Sequence, residues 1–175
     1  RYNYISSPHS IYQRIFKLKP GHLLKVSFCI KEPTIEPYWS LIDIAKSNNV
    51  LHSFGSEKEK VDELEELLKD VIKQQMVADV PIGAFLSGGV DSSVIVALMQ
   101  NQSSKPVNTF TIGFDDKIYN EAFYAKQIAE HLGTNHNELY ISPQKALEII
   151  PDLPRVYCEP FADSSQIPTY LLSKL

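Results

Sequence analysis

Apolar residues recur at Val61, Leu64, Leu67, Leu68, Val71, Ile72 and Met76, a helical spacing that puts one apolar stripe on a helix. Ser56-Glu-Lys-Glu59, just ahead, is a capping box, so the helix is expected to start there. Val80-Pro-Ile-Gly-Ala-Phe-Leu86 is a compact apolar run of the buried-strand type. Asp91 to Asn101 then reads as a helix and Val107 to Phe114 as a strand. Glu121 to Leu132 reads as an amphipathic helix closed by Gly133, and His136 to Ile141 as a strand. Ser142-Pro143 supplies an N-cap and a first-turn proline for one more helix. Strand and helix alternate throughout, which predicts an α/β fold: a parallel sheet flanked by helices.

Residues 1–40 have a different texture. Pro8, Pro20-Gly21, Pro33 and Pro37 interrupt short apolar runs, and Leu23 to Ile30 reads as one strand. This short β-rich segment is too small to close a sheet of its own and is expected to be an edge of something larger. Ser47-Asn-Asn49 and Ser53-Phe-Gly55 mark residues 41–55 as a linker, which leaves 56–175 as the α/β body.

Composition narrows the class without naming it. Of 175 residues, 43% are hydrophobic and 22% charged, enough for a buried core and too apolar for wholesale disorder. No apolar run approaches the ~20 residues that span a bilayer, so no membrane partner is expected. A net charge of -4 provides no general basic field for nucleic acid. Cys29 and Cys158 lack disulfide-scaffold or metal-site spacing, which points to a reduced, cytoplasmic setting, with Cys29 read as a small strand hydrophobe. His9, His22, His52, His131 and His136 are scattered and suggest no metal cluster. The chain opens at Arg1 without Met and stops at Leu175 within a run read as helix.

The chemistry is concentrated in Phe85-Leu-Ser-Gly-Gly-Val-Asp-Ser-Ser93, where a strand passes into a helix. Gly88 and Gly89 permit a tight turn and bring bare N–H groups close to a ligand, while Ser87, Ser92 and Ser93 add hydroxyls. The positive end of the following helix points to the same place, which makes an anion cradle suited to phosphate. Asp91 would be repelled by phosphate unless a divalent cation bridged them, and hard oxygen ligation suits Mg²⁺. No Gly-Lys-Ser/Thr follows, so this is not a Walker loop, and Phe85 stands where a nucleophile elbow needs glycine. The Gly-x-Gly-x-x-Gly of a dinucleotide fold is absent too.

Ser87-Gly-Gly-Val-Asp-Ser-Ser93 resembles the PP-loop of the ATP-pyrophosphatase superfamily. The run Asp79 to Ser93, then Thr109 to Phe114, Asn120 to Ala129 and Glu159 to Ser173 is similar to the synthetase domain of glutamine-hydrolysing asparagine synthetases. Ser10 to Leu24, on to Tyr38-Trp39, resembles the end of that family's Ntn-type glutaminase domain, which implies that residues 1–40 are its remnant and 56–175 a truncated synthetase domain. The resemblance implies that ATP, with Mg²⁺, is held by Ser87, Gly88, Gly89, Ser92 and Ser93, with Asp91 the metal ligand and catalytic residue. Leu86, Ile112 and Gly113 match positions lining the adenosine site. The implied reaction adenylates the β-carboxylate of aspartate, or of a related acid such as a sugar acid, and ammonia from glutamine then forms the amide.

Three departures qualify that expectation. Cys158 stands where the family often has Asp before Glu159-Pro160, Arg1 is not the glutaminase's N-terminal Cys, and the family's second Ser-Gly-rich loop does not appear. The fragment alone is therefore expected to be inactive, and a homo-oligomer stays open for the full-length form. Glu159 and Asp163 are candidates for the acid substrate's pocket or simple surface carboxylates. Another PP-loop ligase or tRNA-thiolating enzyme, and a non-catalytic nucleotide-binding module, remain as other readings.

Overall fold

A computed structural model describes residues 3–47, 55–114 and 120–175. The chain forms two compact units, Arg1–Phe54 with Asp152–Ser164, and Gly55–Pro151 with Ser165–Leu175.

In the first unit, β1 (His22–Ser27) and β2 (Ile30–Pro37) form an antiparallel hairpin in which Leu24 faces Ile35. The sequence read Leu23 to Ile30 as one strand; instead the chain turns at Phe28-Cys29 and Ile30 opens the second strand. Ser27 Oγ accepts the Cys29 N–H at 3.2 Å, a local bond that diverts the backbone from extended pairing. Pro33 and Pro37 hid β2 because they read as punctuation, yet proline is tolerated where a ribbon has open edges. Cys29 is consequently exposed on the turn and not a strand hydrophobe. Within the expected linker, Leu41–Lys46 is a helix, α1, started by Ser40, whose side chain accepts from Asp43 N–H at 3.2 Å. The rest of that stretch, residues 48–54, lies outside the described residues.

The second unit begins with α2 (Glu57–Gln75), and the expected capping box is present in both directions between Ser56 and Glu59. Next come β3 (Gly83–Phe85), α3 (Val90–Gln102), β4 (Asn108–Phe114), α4 (Ala122–Leu132), β5 (Asn135–Ile141) and α5 (Pro143–Ile149). The three strands form a parallel sheet in the order β3-β4-β5, flanked by helices, as the alternation predicted. After the short α6 (Leu153–Val156) of the first unit, α7 (Gln166–Leu172) returns to pack on β4. It closes at Leu172, before the chain's last residue, where the sequence suggested that helix continued.

Two clusters make the core of this unit: Ile72, Leu98, Met99 and Val107, and Leu86, Val96, Ala125 and Ala129. A fully buried aliphatic such as Val96 contributes about 1.5–3 kcal/mol through removal from water. The α2 stripe divides: Leu68, Ile72 and Met76 pack on α3, while Val61, Leu64, Leu67 and Val71 stay exposed. The Val80–Leu86 run also differs from expectation. Only Gly83–Phe85 is strand, and it lies at the sheet edge with Val80 and Phe85 largely exposed and Leu86 buried. No helix among the described residues is long and apolar enough to cross a membrane.

Between β4 and β5, buried Thr109 Oγ1 lies 2.9 Å from both Thr134 Oγ1 and His136 Nδ1. His136 Nε2 is buried without a partner among the described residues. Burial, more than any neighbouring charge, holds this imidazole below the ordinary histidine pKa.

Candidate functional site at the β3–α3 junction

Parallel pairing fixes where the loop must sit. Phe85 pairs with Phe110, Leu86 N–H donates to Phe110 C=O at 2.9 Å, and buried Leu86 anchors the strand end. The chain then leaves the sheet at its C-terminal edge, the position where open α/β sheets take ligands. Gly88 makes the turn with φ +81°; a Cβ there would lie 2.8 Å from Tyr124 Cβ and 2.9 Å from Ala125 N. Both the left-handed backbone and the tight seat against α4 therefore demand glycine. Gly89 is different. Its backbone is extended, φ -74°, and a Cβ would meet only Ser87 Oγ at 3.4 Å, so the space beside it is open.

The serines hold the loop's shape. Ser92 Oγ accepts the Ser87 N–H at 3.2 Å and lies 2.9 Å from Ser87 Oγ, which accepts the Gly89 N–H at 3.3 Å. Ser93 Oγ donates back to Gly89 C=O at 2.6 Å. No side chain caps α3, and the N–H groups of Val90, Asp91 and Ser92 have no partner among the described residues. Three donors at the positive end of a helix of 13 residues make this a place to receive an anion.

Asp91 occupies the first turn of α3, exposed, with no ion pair or hydrogen bond among the described residues. The helix dipole favours its charge there. A lone carboxylate is a poor metal site by itself, and no group of three His, Cys, Asp or Glu among the described residues could hold an ion. Beside an anion-receiving helix terminus it fits a hard cation whose other ligands are phosphate oxygens and water.

Next to the loop opens a cleft of about 310 Å³ whose lining includes Leu86, Ser87, Phe110, Ile112, Phe114 and Glu121. Ser165, Pro168 and Leu172 close it from α7 and the residue before it. The structure thus brings Leu86, Ser87 and Ile112 to one cavity. Gly113 points to the other face of the sheet, where a Cβ would lie 2.4 Å from the Tyr140 ring, so a close approach to that ring requires its glycine. Glu121 and the phenylalanines were missed as site residues. The alternation Phe110, Ile112, Phe114 was the available signal, because residues two apart share a strand face. Glu121 carried no such signal, since only the fold places the start of α4 beside the loop.

Glu159 and Cys158 lie in the first unit. Glu159 forms an ion pair with Lys17 and accepts the Ile11 N–H at 3.4 Å, while Lys17 Nζ also donates to Ile5 C=O at 2.7 Å. Cys158 is an exposed free thiol at the rim of a cavity of about 470 Å³ whose lining includes Tyr4, Tyr12, Phe16, Tyr157 and Phe161.

The fold and the loop define the class: a parallel α/β domain whose first strand runs into a glycine turn and an uncapped helix open to an anion. A family model described as asparagine synthase matches residues 63–175, and the chain belongs to that family. A putative glutamine-hydrolysing asparagine synthetase 2 of Methanocaldococcus jannaschii is 36% identical over 173 residues, covering 98% of this chain and 32% of the relative. Asparagine synthetase 1 of Bacillus subtilis is 29% identical over 177 residues, 99% of this chain and 26% of the relative. Asparagine synthetase B of Escherichia coli is 32% identical over 129 residues, 64% of this chain and 23% of the relative. The chain thus spans between 23% and 32% of the length of these relatives.

Proposed function

We propose that this chain is the nucleotide-binding part of an ATP-dependent amidotransferase of the asparagine synthase type. In this reading residues 1–40 are the end of a glutaminase domain, 41–55 the link, and 56–175 the first part of the synthetase domain. The whole protein adenylates the β-carboxylate of aspartate with release of pyrophosphate, and ammonia derived from glutamine displaces the adenylate to give the amide. The carrying observation is the uncapped start of α3 behind a glycine turn, where the N–H groups of Val90, Asp91 and Ser92 have no partner among the described residues and can meet phosphate oxygens. Gly88 holds that turn against α4, and Ser87, Ser92 and Ser93 fix its curvature, so the donors are preorganised before a ligand arrives. Leu86 and Ile112 line the cleft from the core, and the more accessible Phe85, Phe110 and Phe114 complete an apolar wall on which an adenine ring would lie. Asp91 is the residue to hold Mg²⁺, which when bound offsets charge on the phosphates. The reaction is that of a carbon–nitrogen ligase in a cytoplasmic, reduced setting.

The test is pyrophosphate release by the full-length protein supplied with ATP, Mg²⁺, aspartate and glutamine. Release that requires aspartate, with asparagine formed in equal amount, is expected. Release driven by a different carboxylic acid would move the assignment to another acceptor and leave the loop chemistry standing; no release with any acid contradicts the ligase reading.

A further inference from the structure

We propose that Asn120 is a positioning residue for the phosphate loop: it caps α4, and the start of α4 is the seat on which the loop's glycine turn rests. The inference rests on the nucleotide reading of that loop. Glu121 already has right-handed helical backbone angles, φ -85° and ψ -7°, and its C=O accepts the N–H groups of Tyr124 and Ala125 at 3.1 and 3.0 Å. The residue just ahead of it is Asn120, whose Oδ1 accepts the Ala122 N–H at 3.1 Å. A side-chain oxygen that takes the N–H two residues further on is the pattern of a helix N-cap.

The loop meets this helix on both sides of Ser87. Leu86 and Ala125 share one buried cluster. Gly88 has no room to spare, since a Cβ there would lie 2.8 Å from Tyr124 Cβ and 2.9 Å from Ala125 N. Tyr124 and Ala125 are the residues whose N–H groups close the first turn of α4, so loosening that turn moves the surface under Gly88. Burial holds the turn only lightly. Its buried side chains, Ala122 and Ala125, are single methyls, while Phe123 and Tyr124 are 61% and 60% exposed. The cap bond is therefore a large part of what fixes the turn. Gly88 in its turn aims the N–H groups of Val90, Asp91 and Ser92, and donors serve an anion best when they are fixed before it arrives. Fraying at Asn120 spreads their directions, which weakens phosphate binding as well as folding.

The test compares wild type, Asn120→Ala and Asn120→Ser in the full-length protein, with Ser142→Ala as the control. Ser142 caps α5, accepting the Lys145 N–H at 3.3 Å, in the same unit but after β5, two strands away from β3. Removing either cap lowers the melting temperature to a similar degree. Only Asn120→Ala is expected to weaken binding of ATP with Mg²⁺, by about fivefold, the factor a helix cap is typically worth. It should also speed amide exchange at residues 88–92 in the ligand-free protein. Asn120→Ser keeps a capping oxygen and should restore both to within about twofold of wild type. An Asn120→Ala variant whose ATP binding and loop exchange change no more than those of Ser142→Ala overturns the proposal. An Asn120→Ser variant that behaves like Asn120→Ala overturns it too, and neither result touches the nucleotide reading. A wild type that binds no nucleotide overturns that reading, and the exchange comparison then still decides whether Asn120 positions the loop.

Discussion

Gly88 and Gly89 are neighbours with opposite demands. Gly88 has φ +81° and its missing Cβ would overlap the backbone nitrogen of Ala125, so Gly88→Ala combines backbone strain with a clash that a side-chain shift cannot relieve. A loss of about 2 kcal/mol or more is expected in denaturant unfolding. Gly89→Ala places its methyl in open space at the start of α3, so stability should change by no more than about 1 kcal/mol while nucleotide affinity falls, because the methyl enters the cradle. Calorimetry of both variants separates the two roles; equal effects on folding would contradict the distinction. The sequence made the loop itself legible, since a glycine pair between a strand and a helix with serines around it has few other uses. What it did not reveal is which glycine is structural. That depends on α4 arriving 36 residues later against Gly88, a contact no local pattern encodes.

The capping box of α2 is the clearest local signal in the chain, and it supports a pH prediction. Hydrogen bonds from the Ser56 backbone N–H, and then its hydroxyl, lower the Glu59 pKa below the ordinary carboxylate value. A carboxylate with a depressed folded pKa lends stability that is present above its unfolded pKa and lost as pH falls through the folded one. The first turn of α2 should therefore fray as pH drops below the ordinary glutamate range, seen as faster amide exchange at residues 57–60. Ser56→Ala should cost about 1 kcal/mol at neutral pH, and Glu59→Gln, which removes the titrating carboxylate, should abolish that acid step; a step that persists in Glu59→Gln would contradict the assignment. His136 acts at a higher pH. Its burial lowers the folded pKa, so the unfolded chain takes up the proton first and the β4–β5 unit loses stability as pH falls through the ordinary histidine value. His136→Gln should flatten the melting temperature between about pH 7 and pH 5 relative to wild type. Two elements that sequence reading missed, the second hairpin strand and α1, are held by turn and cap bonds at Ser27 and Ser40, which are common residues with weak signals of their own.

Parallel strands β3, β4 and β5 bring the loop after β3, the end of β4 and the start of α4 to one edge of the sheet, so residues far apart in sequence line one cleft. Alternation of strand and helix predicted that sheet, and the asparagine synthase family match over residues 63–175 agrees with it. The composition of the cleft was less legible: Glu121 and the phenylalanines join it only through tertiary placement. The first unit poses the opposite case, since Lys17 and Glu159 pair across 142 residues of sequence with no pattern linking them. Whether the β3–α3 junction holds a metal–phosphate complex is decided by calorimetric titration of the full-length protein with ATP, with and without Mg²⁺, in wild type and Asp91→Ala. Mg²⁺ is expected to strengthen ATP binding to wild type, and Asp91→Ala to abolish this strengthening while the protein stays folded. An Asp91→Ala variant that binds ATP with the same affinity and the same Mg²⁺ dependence as wild type would contradict that assignment.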